Sequence, residues 1–275
     1  MTLQSTFFET TISGAVAHVA MNRPDKANGM TPDFWADLPR LVREIETDMS
    51  VRVLVISGNG KHFTGGMDLA SFNDIAKLTT NEAGRAAYAM RGLILKLQDT
   101  FNALEQARFP VIAAIHGACV GAGIDMTSAC DLRLASEDAF FSIEEINIGM
   151  AADVGTLQRL PKLVAPGIVK ELAYTGRRFS AKEALAWGFV NSVHADRQAV
   201  LDAAFAMAQA IATKSPLAIS GIKKAVDYSR DHPVSESLEQ IATWNAGMLR
   251  PEDMMKAIQS KIAKQEADFT DLMAG

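Results

Sequence analysis

Five short runs rich in β-branched and small apolar residues punctuate the first part of the chain: "GAVAHVAMN" (14–22), "VRVLVISG" (51–58), "FPVIAAIHG" (109–117), "DLRLAS" (131–136) and "GFVNSVH" (188–194). Helical patterns fill the intervals. Strands separated by helices are joined through crossovers and lie parallel, so this alternation predicts an α/β fold with helices covering a sheet. Between the first two runs, Thr31 stands at a cap position, Pro32 at the first helical position and Asp33 in the first turn. Phe34, Leu38, Leu41, Val42 and Ile45 then recur on one face, so a helix is expected there. "SAKEALAWG" (180–188) reads as a short helix with a capping box, Ser180 with Glu183, closed by Gly188. From Asp196 the strands stop, and "DRQAVLDAAFAMAQAIATK", "SPLAISGIKKAVDYS" and "PEDMMKAIQSKIAKQ" read as helices rich in Ala and Met, as for a surface that packs on something further.

Composition narrows the partners. A chain of 275 residues, 48% apolar and 21% charged, can bury a large core; its formal charge of -5, with no run of Lys or Arg, leaves no footprint for nucleic acid or an anionic membrane. No segment is apolar for the roughly 18 residues a membrane span needs, and the N-terminus has no basic region followed by an apolar one. The expectation is a cytoplasmic protein with a small-molecule partner. Cys119 and Cys130 lie in apolar surroundings without ligand spacing, which reads as reduced core cysteines.

Three stretches can carry chemistry. In "IHGACVGAGID" (115–125) glycines follow a strand-like run and open a helix, so backbone N–H groups can approach an oxyanion. Taken alone this is equally a packing device. "KHFTGGMDL" (61–69) puts a second glycine turn after a second strand, and two such turns could supply one N–H each to a single carbonyl oxygen. The third feature is acidic. "FFSIEEINIGMAADVG" (140–155) carries Glu144, Glu145 and Asp153 with no Lys or Arg among them, and Asp125 lies on the helix opened by the glycine turn. Glu144 reads as a solvated acid. Asp125, Glu145 and Asp153 have apolar neighbours, where a carboxyl has a raised pKa suited to proton transfer near neutrality. A hard-metal site competes, but no oxygen cage accompanies these acids. His18, His62, His116 and His194 read as packed or surface residues, and the absence of a G-x-S-x-G elbow or an activated cysteine disfavours covalent catalysis.

These residues together resemble the crotonase (enoyl-CoA hydratase/isomerase) superfamily over nearly the whole chain. "HVAMNRPDKANGM" is similar to its N-terminal strand and turn, "FTGGMDL" to its first oxyanion turn, "AAIHGACVGAGIDMTSACDLRLAS" to its second, and "TGRRFSAKEALAWGFVNSV" to its later helix and strand. The resemblance implies a spiral of ββα units over residues 1–195 and a helical C-terminal region, 196–275, used in trimer formation, hence a homotrimer or a homohexamer. It implies an acyl-CoA thioester substrate, whose enolate would be held by the backbone N–H groups of Met67 and Ala122. Lys61 is a candidate for the CoA nucleotide end, and no cofactor is needed beyond the coenzyme A of the substrate.

Hydratases of the superfamily use two glutamates, at positions matching Asp125 and Glu145. The first is shortened to Asp here, which would draw the carboxylate back from an attacking water. "SACDLRLASEDAFFSIEEINIGMAADVGTLQRLPKLV" is similar, in long unbroken segments, to the Δ3,5-Δ2,4-dienoyl-CoA isomerases, whose three acidic positions fall on Asp125, Glu145 and Asp153. That resemblance implies an isomerase of fatty acid β-oxidation: Glu145 removes the proton at C2, Asp153 protonates C6, and Asp125 supports the pair. An enoyl-CoA hydratase, and a non-catalytic acyl-CoA-binding or scaffold protein, are the alternatives.

Overall fold

The computed structural model describes residues 3–68 and 82–273. Its frame is a six-stranded sheet of β1 (Phe8–Ser13), β2 (Val16–Met21), β3 (Val53–Gly58), β4 (Val111–Ile115), β6 (Leu132–Ser136) and β9 (Ser192–His194), in the order β1-β2-β3-β4-β6-β9. Every pairing is parallel except β1 with β2. A second sheet, β5-β7-β8, joins β5 (Ala118–Val120), β7 (Phe140–Ser142) and β8 (Phe179–Ser180).

The side-chain alternation of β3 shows why the main sheet must be covered twice. Leu54 and Ile56 enter the main core with Met21, Phe34, Phe63 and Ile115, while Val53 and Val55 enter a second cluster with Val16, Ile112, Ala114 and Leu134. The first face is covered by α1 (Pro32–Thr47) and α2 (Ala83–Gln106), which meet through Trp35 and Phe101, with ring centroids 5.3 Å apart. The second face is covered by α7 (Arg197–Ala212), whose Val200, Ala204, Ala208 and Ala212 are buried on the sheet. The helical region thus begins with a helix that belongs to the sheet's own core.

The remaining helices are α3 (Ala122–Ser128), α4 (Thr156–Arg159), α5 (Pro166–Thr175), α6 (Ala181–Ala186), α8 (Pro216–Asp231), α9 (Val234–Met248) and α10 (Pro251–Ala263). The capping box of α6 is formed: Glu183 N–H donates to Ser180 Oγ (3.2 Å) and Ser180 N–H to Glu183 Oε2 (2.8 Å). The helix expected after Thr31 is α1, but the Thr31 side chain makes no capping bond. Of the strand expected over 188–194 only 192–194 forms: Gly188 takes φ +81°, and the amides of Phe189 and Val190 return to Ala184 O.

The candidate active site

The two glycine turns are placed side by side by strand pairing. Thr64 bridges to Cys119 in parallel fashion, through Thr64 N–H to Ala118 O (2.9 Å) and Val120 N–H to Thr64 O (3.3 Å). Met67 bridges to Met30 on the opposite side: Met30 N–H donates to Gly66 O (2.8 Å) and Asp68 N–H to Met30 O (3.0 Å). Since a strand's polar groups alternate between its edges, the Met67 amide itself faces away from Met30, toward the segment that leads into α3. Leu69, the last residue of the first glycine stretch, lies outside the described residues.

The approach between these segments requires glycine. Gly66 has φ +83°, and a Cβ there would stand 2.8 Å from Val120 O and 3.5 Å from the Ala122 nitrogen. Gly121, at φ +53°, turns the chain from β5 into α3, so Ala122 is the first residue of the helix and needs no left-handed backbone of its own. The glycine run expected to follow a single strand is therefore split, with β5 inserted between Gly117 and Gly121. Among the described residues neither Met67 N–H nor Ala122 N–H has a protein acceptor. Two amide donors are thus left free on adjacent segments.

The acids come from three elements. Asp125 is on α3 and 1% exposed; its Oδ1 accepts from Thr156 N–H at 2.5 Å. Glu145 lies in a 3-10 turn (Glu144–Ile148) just after β7, and the end of β7 is held to the start of α3 by Gly121 N–H donating to Ser142 O (2.9 Å). Its Oε1 is 3.6 Å from where a Gly121 Cβ would stand, and its Oε2 is buried without a hydrogen-bond partner among the described residues. Asp153 is half-buried on the loop before α4, and its carbonyl oxygen accepts from Gln98 Nε2 of α2 at 2.7 Å.

Electrostatics ties the three together. Burial pushes Asp125 up to about 6 against the pull of the Thr156 hydroxyl and N–H, with the Asp153 charge adding to the rise and Arg159 opposing it. Burial, and then the charge of Asp125, push Glu145 up to about 7, with Asp153 and Glu144 adding less. Burial also raises Asp153. A carboxyl poised near 7 can both accept and return a proton at neutral pH. Glu144 is exposed and takes hydrogen bonds from Ser142 Oγ (2.7 Å) and Asn147 Nδ2 (3.1 Å).

Other residues singled out in the sequence lie apart from this chemistry. Lys61 is exposed on the turn after β3, and its carbonyl packs against Gly117, where a Cβ would stand 2.4 Å away. Burial lowers His18, His62 and His116; His62 Nδ1 accepts from Ala118 N–H (3.1 Å), and His116 Nε2 meets Gly60 O (3.0 Å). Burial raises both cysteine thiols, Cys130 to about 12. Among the described residues no group of His, Cys, Asp and Glu is arranged to hold a metal ion, and no helix is long and apolar enough to cross a membrane.

Sequence reasoning missed Thr156, Gln98 and the Arg159–Glu105 pair. Thr156 directly follows Gly155, a signal for a special turn; nothing around Gln98 in "LILKLQDTF" distinguishes it from an ordinary helix residue.

Residues 11–272 match the family "Enoyl-CoA hydratase/isomerase". The chain belongs to that family. It is 46% identical over 253 residues to the mouse protein named mitochondrial Delta(3,5)-Delta(2,4)-dienoyl-CoA isomerase, covering 91% of this chain and 77% of that one. It is 40% identical over 260 residues to the peroxisomal protein of the same activity name from Arabidopsis thaliana, covering 94% of each. An enoyl-CoA hydratase structure from Bacillus anthracis superposes with a TM-score of 0.86 at 27% identity, covering 96% of this chain and 99% of that one. The crotonase-like α/β fold expected from the sequence is therefore the fold observed. The cytoplasmic placement is corrected: these relatives are mitochondrial and peroxisomal proteins. Buried reduced cysteines and a mildly acidic composition suit any reducing compartment, so they never distinguished the cytoplasm from an organelle.

Proposed function

We propose that the chain is a Δ3,5-Δ2,4-dienoyl-CoA isomerase that acts by carboxylate-mediated proton transfer. The observation that carries this reading is the convergence of three pKa-raised carboxyls, from α3, the 144–148 turn and the 153 loop, beside two unpaired amide donors. The 46% identity to a relative of that name supports the same reaction.

In the substrate the double bonds lie at C3–C4 and C5–C6. Glu145 removes a proton from C2, and the electron pair spreads over the conjugated chain and onto the thioester oxygen. The amides of Met67 and Ala122 stabilise that oxygen. A proton from Asp153 is delivered to C6, leaving double bonds at C2–C3 and C4–C5. One proton leaves and one arrives, so the reaction needs neither a redox cofactor nor a metal. Asp125, fully buried, keeps Glu145 basic by its charge.

Hydration is disfavoured by the same geometry. Asp125 is shortened by one methylene, 1% exposed and bound to Thr156 N–H, so it is poorly placed to hold an attacking water. For the assembly we infer a homotrimer or a dimer of trimers through the C-terminal helices, a reading supported by the exposure of Val234 (76%), Leu238 (62%) and Ile262 (78%). Lys61, exposed near the second glycine turn, stays a candidate for the nucleotide end of CoA.

The deciding experiment supplies a medium-chain 3,5-dienoyl-CoA and follows the ultraviolet band of the conjugated 2,4-dienoyl thioester, with hydration of a 2-enoyl-CoA measured in parallel. Growth of the band with little hydration is expected. Rapid hydration without the band would overturn the isomerase reading, and binding without either would assign a non-catalytic role.

A further inference from the structure

Two of the three acids depend on one short segment. Residue 153 supplies a carboxyl, and residue 156 supplies the N–H that binds another, the carboxyl of Asp125. Gly155 between them takes φ +139°, and the Arg159 guanidinium lies so close over it that a Cβ there would stand 2.0 Å from Nη1. That guanidinium is fixed to α2 by Glu105 Oε2 (2.9 Å) and Asn102 Oδ1 (2.6 Å), and Gln98 on the same helix holds the Asp153 carbonyl. The segment is clamped at both ends by α2.

Within it, the Thr156 hydroxyl is fully buried and completes no hydrogen bond among the described residues. A buried hydroxyl without a partner is costly and uncommon in a native structure, which calls for an account of what it serves. It sits against the Asp125 carboxyl and is one of the groups that hold that acid's pKa down.

We propose that Thr156 is a positioning residue: its hydroxyl is a second donor to Asp125, engaged when that carboxyl is ionised, and so fixes both the orientation and the charge of the buried acid. The charged groups that face Asp125 are Glu145 from the 144–148 turn, Asp153 from the loop, and Arg159 from α4, itself paired with Glu105 of α2. Arg159 is committed to Glu105, so donors at Thr156 carry more of the task of keeping Asp125 ionised. A charged Asp125 is in turn what raises Glu145. Loss of the hydroxyl therefore moves the two acids in opposite directions, Asp125 up and Glu145 down.

The test compares Thr156→Val, which keeps the shape, with Thr156→Ser, which keeps the hydroxyl. The carboxyl carbons of aspartate are labelled with 13C, and the Asp125 resonance is assigned by its loss in Asp125→Asn and titrated without substrate. Thr156→Val is expected to raise the Asp125 midpoint by about one unit, the worth of one donor to a carboxylate, with Thr156→Ser close to wild type. In the isomerase assay, Thr156→Val is expected to shift the acid limb of kcat/KM to lower pH and leave KM within about twofold; its Tm is expected to match wild type at pH 5, where Asp125 is protonated, and to fall below it at pH 8, where the lost donor served the carboxylate. An unmoved Asp125 midpoint in Thr156→Val, or a Thr156→Ser that behaves like it, would overturn the proposal. Should Thr156→Val fail to fold, Thr156→Ala against Thr156→Ser in the same titration decides. Only the kinetic arm rests on the isomerase reading: a wild-type protein without isomerase activity would refute that reading, while the substrate-free titration would still judge Thr156.

Discussion

Replacing Glu145 by Gln should make the protein more stable at alkaline pH while removing its proposed activity. Folding raises the Glu145 carboxyl from the ordinary 4.5 to about 7, first through burial and then through the Asp125 charge. A carboxyl that binds its proton more tightly when folded costs nothing below the unfolded pKa, where both states are protonated. The cost grows as pH rises through 4.5 and levels off above the folded value. A rise of that size amounts to about 3 kcal/mol at pH 8, and to almost nothing at pH 4. Glutamine has nearly the same shape and never ionises, so Glu145→Gln should gain that difference. For a chain of this length the gain reads as roughly 5–10 °C in Tm at pH 8. Thermal unfolding of both proteins at pH 4.5, 6, 7 and 8, at one protein concentration because assembly shifts Tm, provides the curve. Loss of a general base should at the same time reduce kcat by about 10²–10⁴-fold. A Tm difference that is flat with pH, or that favours wild type at pH 8, would mean that Glu145 is not held in a desolvated site beside Asp125, and the argument for its role as base would fall with it.

Three further outcomes are expected. The wild-type kcat/KM should rise with pH through an apparent midpoint near 7 as Glu145 ionises, and Asp125→Asn, which deletes the neighbouring charge, should move that midpoint down; a midpoint that stays put in the pH–rate profile would uncouple the two acids. Gly66→Ala, which places a Cβ 2.8 Å from Val120 O at a φ of +83°, should push the two glycine turns apart and lower kcat by about 10²-fold in steady-state assays, with KM changed far less; unchanged kcat would sink the oxyanion assignment of this turn. Lys223→Met should destabilise by about 3 kcal/mol in urea unfolding, because the Asp131 carboxylate loses Lys223 Nζ at 2.8 Å and keeps only Val111 N–H (2.7 Å), while the carbonyls of Leu104 and Phe109 lose the same donor; a loss under 1 kcal/mol would show that the pair is not effectively buried.

Much of this was legible in the residues because it depends on backbone constraints that only certain residues satisfy. The glycine turns are visible because Gly66 and Gly121 adopt left-handed backbone and Gly66 lies against the facing chain, where no side chain fits. The core strands are visible because β3 and β4 are buried on both faces and read as continuous apolar runs. The elements that escaped are short or depend on distant partners. β5 and β7 have three residues each and pair with one another, with β8 and with Thr64, all distant in sequence, so neither has a local pattern. β1 is exposed along most of its length and gives no apolar run. Three carboxyls stood out because acids among apolar residues are uncommon, whereas Thr156 and Gln98 act on them through ordinary polar groups brought in by the fold. No spacing within the sequence relates position 98 to position 153.

The helix that covers the second face of the main sheet has a consequence for anyone handling this protein in pieces. α7 covers Val53, Val55, Ile112 and Leu134 with a row of alanines four residues apart, and small side chains let the helix lie close to the strands. A fragment ending at residue 195 would leave that apolar face open to water, against which a soluble monomer has no defence. Such a fragment should precipitate or pair with its own kind, however complete its strands and acids. The shift from strands to helices at 196 marks a change of secondary structure across one continuous hydrophobic layer, and a cut there would divide the layer itself.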